Sequence, residues 1–316
     1  MSLDAVRRHP QQARTPLRAL HEGAIVNVVA VIVTFKTDQR RLDAILAAVT
    51  AQCPAVVADN TEDEALAQTL RECVQRRGAK YVSMAGNRGI GAAQNAAIAV
   101  AWSEGADAVL LLDDDSMPAN DLVTVLIDCC SLTTSKGAVF GANALDASGR
   151  EISNARRSPG EMPRCRDMMS SGTLIPRRVF ERVGPFDESL FIDCVDFDWG
   201  WRAQRLGIPL YLCRRTAIRH RLGEGTVAGM RFPSPLRHYY QFRNILQMMS
   251  RPHVPWSWRG AQLIKLPVKL VLMAILMPQA RLRLGYAVAG IRDAMRGRSG
   301  PWTAHPSNRD NSLGTS

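Results

Sequence analysis

The sequence lacks the paired cysteines of a structural zinc site. Its seven cysteines stand at positions 53, 73, 129, 130, 165, 194 and 213 of 316 residues, and none of them forms a Cys-x-x-Cys pair. A secretory leader is also lacking, because residues 1–24 are polar and basic. We therefore expect reduced thiols and a cytoplasmic protein, with residues 1–24 as a flexible arm.

Long apolar runs are lacking as well. In the C-terminal part the longest uncharged run covers residues 270–280, about half of the ~20 residues that a membrane-spanning helix needs. Basic residues stand on both sides of this run, and Pro267 and Pro278 interrupt the apolar pattern. The segment is therefore not predicted to cross a membrane.

Acidic residues are scarce towards the C-terminus. The net charge is +11, and residues 251–300 contain nine Lys or Arg but only one acid, Asp293. Since this excess is local, we expect no nucleic-acid partner. Cations beside apolar side chains are typical of a helix lying on an anionic membrane surface. A helix packed on the protein itself or on a partner subunit is the alternative. We predict a basic amphipathic helical extension over 251–300 and a disordered tail over 301–316.

Apolar strands and amphipathic helices alternate through the first third of the chain. The predicted strands cover residues 26–35, 55–58, 81–84 and 109–112, and the predicted helices cover residues 40–51, 62–77 and 92–103. This β-α-β-α-β-α-β order predicts the α/β class, with a mostly parallel, doubly wound sheet flanked by helices. Further on, helices are predicted at 121–130, 177–183 and 196–206, strands at 139–144, 172–175 and 210–213, and a mobile loop at 146–167.

Three consecutive carboxylates follow the last strand of that series. The apolar residues 109–112 run directly into Asp113, Asp114 and Asp115. Ligands of open α/β sheets bind at the carboxyl ends of the strands. Adjacent carboxylates repel each other, and Mg²⁺ or Mn²⁺ would relieve the repulsion while also binding substrate phosphates. A solvated acidic turn is the alternative.

Three enzyme classes are disfavoured: a Rossmann dehydrogenase, a phosphoaspartyl hydrolase and a nucleotidyltransferase. Gly89 and Gly91 are followed by Gln94, so the third glycine of a dinucleotide-binding fingerprint is missing. Met117 stands where a phosphoaspartyl hydrolase would carry threonine. Residues 36–38 do not form the glycine-rich basic signature that a nucleotidyltransferase carries after its first strand. The two glycines still allow close approach of a phosphate at a helix N-terminus.

A second group of functional candidates follows residue 186, where acids and aromatics alternate. Asp196 opens a predicted helix, where it would act as an N-cap or as a general base. Trp199 could offer its ring face to a sugar. His220 follows the strand predicted at 210–213 and would return to the sheet edge of Asp115, where imidazole and carboxylate together are acceptable for Mn²⁺.

These motifs together resemble glycosyltransferase family 2, the inverting, nucleotide-sugar-dependent enzymes of the GT-A fold. The rhamnosyltransferase branch is most similar, and the galactofuranosyltransferases are close to it. The resemblance runs from Val28 to about Asn244 and implies a GT-A domain over 25–250. Its motifs, in order, are VAVIVTF, VADN, GNRGIGAAQNAA, LLLDDDS, SGTLIP, VGPFDESLFIDCVDFDWGWRAQRLG, HRLG and YYQFRN.

The resemblance also implies roles for individual residues. Donor binding would fall to Thr34, Asp59, Asn87, Arg88, Asn95, Asp113 and Asp114, with Thr34 and Asp59 at the base. The metal would be held by Asp113, Asp115 and His220, Asp196 would be the catalytic base, and Asp198 and Trp199 would contact the acceptor. Two positions depart from the rhamnosyltransferase pattern: Asp114 replaces a frequent Gln, and Asp198 replaces a frequent Glu.

The function implied is metal-dependent, inverting transfer of a sugar, in the first place L-rhamnose from dTDP-rhamnose. The acceptor would be a hydroxyl of a glycan or of a polyprenyl-linked glycan in cell-surface polysaccharide synthesis. A galactofuranosyl- or other hexosyltransferase using a UDP-sugar is the alternative, and a non-catalytic nucleotide-sugar- or carbohydrate-binding module is another. We expect the protein on the cytoplasmic face of the inner membrane, bound peripherally to its anionic surface. Homo-oligomer formation is left open.

Overall fold

The first half of the chain forms the parallel sheet that its alternating pattern predicts. The structure is a computed structural model that describes residues 27–132, 137–153, 159–220, 226–227, 230–231 and 233–303. The elements of the first half are β1 (Val28–Thr34), α1 (Gln39–Thr50), β2 (Ala55–Asp59), α2 (Glu64–Arg76), β3 (Lys80–Ser83), α3 (Ile90–Ser103) and β4 (Ala108–Asp113).

The register of these strands brings the predicted donor-binding residues to one edge. The strands lie in the order β3-β2-β1-β4, and all three neighbouring pairs are parallel. Thr34 lies opposite Asp59, and Val33 lies opposite Asp113. Because parallel strands end on the same side of a sheet, the polar residues that follow three apolar strands meet there.

The second half of the sheet is mixed. Its elements are β5 (Ser116–Pro118), α4 (Leu122–Leu132), β6 (Val139–Leu145), β7 (Arg164–Cys165), β8 (Thr173–Pro176), α5 (Arg177–Val183), α6 (Val195–Arg205) and β9 (Leu210–His220). The order continues β4-β8-β6-β9-β5, with β7 also beside β9. β8 is antiparallel to both its neighbours, whereas β6 and β9 are parallel. The α/β class with helices on both faces is confirmed. The strictly parallel part of the sheet consists of the four strands β3, β2, β1 and β4.

Both faces of the sheet are buried under helices. Along β1, Val29 and Val31 belong to one apolar layer, and Val28, Ala30 and Ile32 belong to the other. Side chains of a strand alternate between the two faces, so a strand covered on both sides must be apolar throughout. One layer contains residues of α3, α5 and α6, and the other contains residues of α1, α2 and α4.

Three long helices follow the sheet: α7 (Pro235–Met249), α8 (Trp256–Leu276) and α9 (Ala280–Met295), after a hairpin of β10 (Thr226–Val227) and β11 (Met230–Arg231). Leu266 and Met273 of α8 pack in one cluster with Phe242 of α7 and Ala287 of α9. The expectation that Pro267 interrupts the apolar segment is wrong, because α8 continues through it. No helix of the described residues is both long enough and apolar enough to cross a membrane.

The structure bears on two further expectations, one about the ends of the chain and one about the cysteines. The arm at residues 1–24 and most of the tail at 301–316 lie outside the described residues, but Trp302 packs edge-on against Tyr239 and Tyr286. The expectation of reduced thiols throughout is wrong for one pair, because Cys129 of α4 and Cys213 of β9 form a disulfide. Packing of α4 on the sheet brings these two residues together over a separation of 84 positions.

Candidate active site

The three aspartates at the end of β4, Asp113, Asp114 and Asp115, have different partners. Asp113 is fixed through its backbone N–H, which donates to Ser171 Oγ at 3.0 Å. Thr37 Oγ1 donates to Asp114, so that carboxylate turns towards the loop after β1. Burial first, and then the charges of Asp115, Asp114 and Asp196, raise the pKa of Asp113 to about 7. The apo site therefore disfavours a full set of negative charges.

Asp115 and His220 are brought together by a strand that the sequence analysis missed. β5 pairs with β9 in antiparallel fashion, with Ser116 opposite His220. His220 Nδ1 lies 3.2 Å from Asp115 Oδ1 and 2.8 Å from Ser116 Oγ. The predicted return of His220 to the sheet edge of Asp115 is confirmed in its geometry, although β9 runs without interruption from Leu210 to His220. β5 has only three residues, too few to show a period of two.

Thr34 and Asp59 bind each other. Thr34 Oγ1 donates to Asp59 Oδ1 at 2.9 Å, and both residues are buried. Asp59 also accepts from the backbone and hydroxyl of Thr61 and from Tyr81 Oη at 2.7 Å. Burial, and then Asp59, raise the pKa of Tyr81, which therefore stays a donor. The pair is a rigid floor at the end of β1 and β2, and its contact with a base stays a prediction.

The glycine segment after β3 fits tightly against a distant turn. Gly89 has φ +87°, and a Cβ there would lie 2.5 Å from the carbonyl oxygen of Phe191. The N–H of Ile90 donates to that same oxygen at 2.8 Å. Asn60 joins the segment to β2, because its side chain donates to the carbonyl of Gly89 and accepts from the N–H of Arg88. Glycine is thus required for close backbone approach.

The predicted donor-cleft residues of this segment separate into two groups. Asn87 caps its own loop, since its Oδ1 accepts from the N–H of Gly89 at 3.0 Å. Asn95 lies on α3 and bonds the backbone of Phe186 in both directions, at 2.9 and 3.0 Å, as well as Glu188. The amide of Asn95 therefore positions the segment before α6. Its contact with a donor, like that of Asn87, stays a prediction.

A strained turn precedes the helix that carries Asp196. Phe191, Asp193 and Cys194 all have left-handed φ values, of 64°, 64° and 67°, which side chains other than glycine rarely adopt. Asn244 Nδ2 donates to three carbonyls of this stretch, those of Leu190, Ile192 and Asp193, at 2.7–3.0 Å. Asn244 of α7 thus fixes the backbone of this turn by hydrogen bonds.

Arg243 supports the same turn. Its guanidinium donates to the carbonyls of Ser189 and Leu190 and to that of Gly300, and it lies over the rings of Tyr239 and Tyr240. Arg243 and Asn244 are both fully buried. Two residues of the YYQFRN motif, Arg243 and Asn244, therefore bind the turn that leads into α6.

Asp196 lies in the first turn of α6, one residue after the helix begins at Val195. The helix cap is Cys194, so the expectation that Asp196 itself opens the helix is corrected by one residue. Its Oδ1 accepts from the N–H of Phe197 at 2.8 Å. Burial raises its pKa to about 6, and the nearby charge of Asp193 adds to the shift. A carboxylate with a pKa near neutrality is suited to removing a proton from a hydroxyl group.

Asp198 does not face an acceptor. It is 1 % exposed, and its two oxygens accept from Arg202 Nε at 2.9 Å, Arg251 Nη1 at 2.6 Å and His253 Nε2 at 2.7 Å. The expected acceptor contact is therefore corrected, because both oxygens are already engaged by cationic or imidazole donors. Asp198 instead joins α6 to the loop between α7 and α8.

Trp199 is a core residue. It is 3 % exposed, packs against Phe180 and Phe186 with ring centroids at 6.3 and 5.5 Å, and donates its indole N–H to the carbonyl of Gly184 at 2.8 Å. A ring enclosed in this way offers no free face to a sugar. The expected acceptor platform at Trp199 is corrected accordingly.

Arg237 is the functional candidate that sequence reasoning missed. It lies in the first turn of α7, and its guanidinium donates to both oxygens of Asp193 at 2.8–3.2 Å. The hydrogen bond to Asp193 is the largest cause that raises the pKa of Arg237, and the charges of Asp193, Asp113 and Asp115 add to the rise. The positive charge of Arg237 offsets part of the rise in the pKa of Asp113. The contact spans 44 positions of the chain, and no local pattern marks it.

Two of the three predicted metal ligands lie in contact at this edge, since His220 Nδ1 is 3.2 Å from Asp115 Oδ1. Carboxylate and imidazole groups suit Mn²⁺, and a divalent cation would relieve the crowding of Asp113 by like charges. Among the described residues, however, no three His, Cys, Asp or Glu side chains are grouped so that they could hold a metal ion. Metal binding by Asp113, Asp115 and His220 therefore stays a prediction.

Solved structures share this architecture. The S. aureus TarS 1–349 structure in complex with UDP-GlcNAc superposes with a TM-score of 0.54 and 13% identity, over 85% of this chain and 81% of that one. The structure of GalNAc-T7 with UDP, GalNAc and Mn²⁺ gives 0.54 and 14%, over 79% and 58%. The half-parallel sheet and these structural neighbours together show the GT-A fold.

The sequence comparisons identify the family. Residues 30–181 match the model of glycosyl transferase family 2. The chain is 30% identical to the dTDP-rhamnosyl transferase RfbF of Shigella flexneri over 247 residues, which cover 72% of this chain and 82% of that protein. The chain belongs to glycosyl transferase family 2.

Proposed function

We propose that the protein transfers L-rhamnose from dTDP-L-rhamnose to a hydroxyl group of a glycan or polyprenyl-linked acceptor, with inversion at the anomeric carbon. The observation that carries the proposal is Asp196, a carboxylate with a raised pKa in electrostatic contact with the acidic edge after β4. The similarity to a dTDP-rhamnosyl transferase over most of the chain supports this donor.

For the metal, we propose Mg²⁺ or Mn²⁺ held by Asp113, Asp115 and His220 together with the donor diphosphate. The cation would supply Lewis-acid stabilisation of the charge that develops on the leaving diphosphate. The Mn²⁺ in the GalNAc-T7 structure supports this assignment at the level of the fold. Asp114, which binds Thr37, would fix the loop after β1 beside the donor.

The protein's own residues would carry the remaining steps. Asp196 would accept the proton of the acceptor hydroxyl while that oxygen attacks the anomeric carbon from the face opposite the diphosphate. A single displacement inverts the configuration, so no enzyme nucleophile is needed. Arg237, held by Asp193, would donate to the departing phosphate oxygens and stabilise their negative charge.

The floor of the donor site would be formed by residues that are already rigid. Thr34 and Asp59 would lie beside the base, and Asn87 and Arg88 would line the segment that approaches the diphosphate at the start of α3. The backbone N–H groups there add positive potential without a side-chain charge.

A second candidate donor is a UDP-sugar, as in the galactofuranosyltransferases. The contact of His220 with Asp115 is the observation that favours it, because the resemblance assigns a metal-binding histidine to that group. A non-catalytic binding module is the third candidate. It is disfavoured because a binding module has no need of a base with a raised pKa beside the acidic edge.

The experiment is a donor screen with metal control. We expect release of dTDP from dTDP-L-rhamnose with Mg²⁺ or Mn²⁺, none in EDTA, and a product of inverted configuration by NMR. Asp115→Ala should abolish turnover while circular dichroism stays unchanged, and Asp128→Ala, at an exposed position on α4, is the matched control. Full activity in EDTA would remove the metal from the mechanism. Donor binding without any turnover would favour the binding module.

A further inference from the structure

α8 has an outer face of large apolar side chains that no described residue covers. Trp256, Ile264 and Ile275 are 81 %, 71 % and 72 % exposed. With 3.6 residues per turn, the exposed Val268 and Val271 continue the row of Ile264 and Ile275. The exposed side chains beside this row are Trp256 and Leu263 on one side and Leu272 and Leu276 on the other. Scattered exposed apolar residues are ordinary, but a row along one helix with further apolar residues beside it marks an interaction surface.

The apolar face lies opposite the side of α8 that packs on the protein, as a helix lying parallel to a membrane surface requires. The buried residues of α8 are Gln262, Leu266 and Met273, which pack towards α7 and α9. With 3.6 residues per turn, Ile264 and Ile275 point away from that buried side. A helix of 21 residues presents this row over about 30 Å.

α8 contains three cations, Arg259, Lys265 and Lys269, and no acidic residue. Lys269 donates to Gln241 of α7, and Arg259 donates to the carbonyls of Val254 and Arg251. Lys265 is therefore the exposed cation of α8. Arg259 lies over the ring of Trp256 with 4.4 Å from guanidinium carbon to ring centroid. Trp beside Arg at the start of a helix, with Lys further along, suits the boundary between lipid headgroups and acyl chains.

We propose that α8 lies parallel to the surface of an anionic lipid bilayer, with its outer apolar row in the headgroup region and its basic residues at the anionic phosphates. The charge on α8 favours this occupant over a second copy of the chain. Pairing two α8 faces would bring two positively charged helices together, each with Lys265 exposed and neither with an acid to neutralise the other. An anionic bilayer complements the same charges.

The proposal goes beyond sugar transfer and does not depend on the donor. It also has a consequence for the site, because Arg251 and His253 lie just before α8 and both bind Asp198 of α6. A bilayer that holds α8 therefore holds the helix of Asp196 at a fixed distance from the lipid surface, where the hydroxyl of a lipid-linked acceptor would be presented.

The test is co-sedimentation of the full-length protein with vesicles of equal parts phosphatidylglycerol and phosphatidylcholine, against vesicles of phosphatidylcholine alone. We expect binding to the anionic vesicles, weakened by added salt. Ile264→Glu with Ile275→Glu should lower the partition coefficient at least about tenfold, because two carboxylates enter the interface. The matched control is Leu132→Glu on α4, where the wild-type side chain is 65 % exposed.

Four readouts decide the proposal: vesicle binding, circular dichroism, release of nucleoside diphosphate and light scattering. Both variants should keep the circular dichroism spectrum and the release of nucleoside diphosphate from free donor, since neither change touches the catalytic residues. Equal binding of the α8 variant and wild type would overturn the proposal. So would a stable dimer by light scattering without lipid that the α8 substitutions convert to monomer, because the face would then pair two copies. Failure of sugar transfer with vesicle binding intact would count against the proposed reaction alone.

Discussion

Asp196→Asn should make the protein more stable and nearly inactive at the same time. The substitution keeps the shape of the side chain and an oxygen for the N–H of Phe197, which donates to Asp196 at 2.8 Å. It removes the charge that burial disfavours. Activity and stability therefore change in opposite directions at this one position.

The size of the stability change follows from the pKa. Burial raises the pKa of Asp196 from 3.8 to about 6, and each pKa unit corresponds to ~1.4 kcal/mol. The full shift would give about 3 kcal/mol, and partial exposure of the side chain reduces this to about 1–3 kcal/mol. For a chain of this size we expect a rise in Tm of about 2–6 °C.

The raised pKa also determines how the stability gain of the Asn variant depends on pH. The folded protein holds the proton of Asp196 more tightly than the unfolded chain does, so its contribution to stability is present below pH 3.8 and is lost as pH rises through about 6. The Asn variant has no such loss. Its gain in Tm over wild type should therefore be near zero at about pH 4 and complete at about pH 8.

The assay is thermal unfolding of both proteins without metal or donor, together with release of nucleoside diphosphate. We expect kcat to fall at least ~10²-fold, the usual share of general-base catalysis, and wild-type activity to rise as pH increases through about 6. An equal Tm at both pH values would refute the burial argument. Activity within a few-fold of wild type would show that Asp196 is not the base.

Two further substitutions test the surroundings of the site. Gly89→Ala should destabilise the fold by at least ~2 kcal/mol in urea unfolding, because its Cβ would meet the backbone of Phe191; Gly105→Ala, at φ +78° with nothing within 4 Å, isolates the cost of the backbone angle. If both variants lose the same free energy of unfolding, the close contact with Phe191 does not contribute to stability. Arg237→Gln should lower kcat/KM at least ~10-fold, with Arg237→Lys restoring part of it; a KM change at constant kcat would limit the residue to donor binding.

The sheet could be predicted because its signals are local. Strands β1 and β4 are apolar up to their last residue, since both faces are buried, and each then ends in a polar residue at the same edge. The acidic edge and the contact of His220 with Asp115 followed from that topology. The short strand β5 could not be predicted, because three residues show no periodicity and its pairing with β9 is set by tertiary contacts.

The contacts around α6 were beyond sequence reasoning for a different reason. A tryptophan or aspartate has the same chemical character whether it is exposed or buried, and only packing decides. Trp199 is a core residue and Asp198 is the centre of a buried group of ion pairs. Asp196, only two residues before Asp198, lies at the cleft and has a raised pKa. Arg237 and Asn244 reach their partners over more than 40 positions of the chain, so no local spacing reveals them.

The ion pairs of Asp198 bear on how the protein can be shortened or recombined. A cut at residue 250 would follow the predicted domain boundary, yet it would remove Arg251 and His253 from a carboxylate that is 1 % exposed. Arg202 would remain as a partner of Asp198, but removing partners from a buried ion pair destabilises a protein by about 3–5 kcal/mol. A chimera that exchanges the C-terminal helices for those of a relative would therefore have to keep the Arg251–His253 segment with α6, and place the junction beyond it.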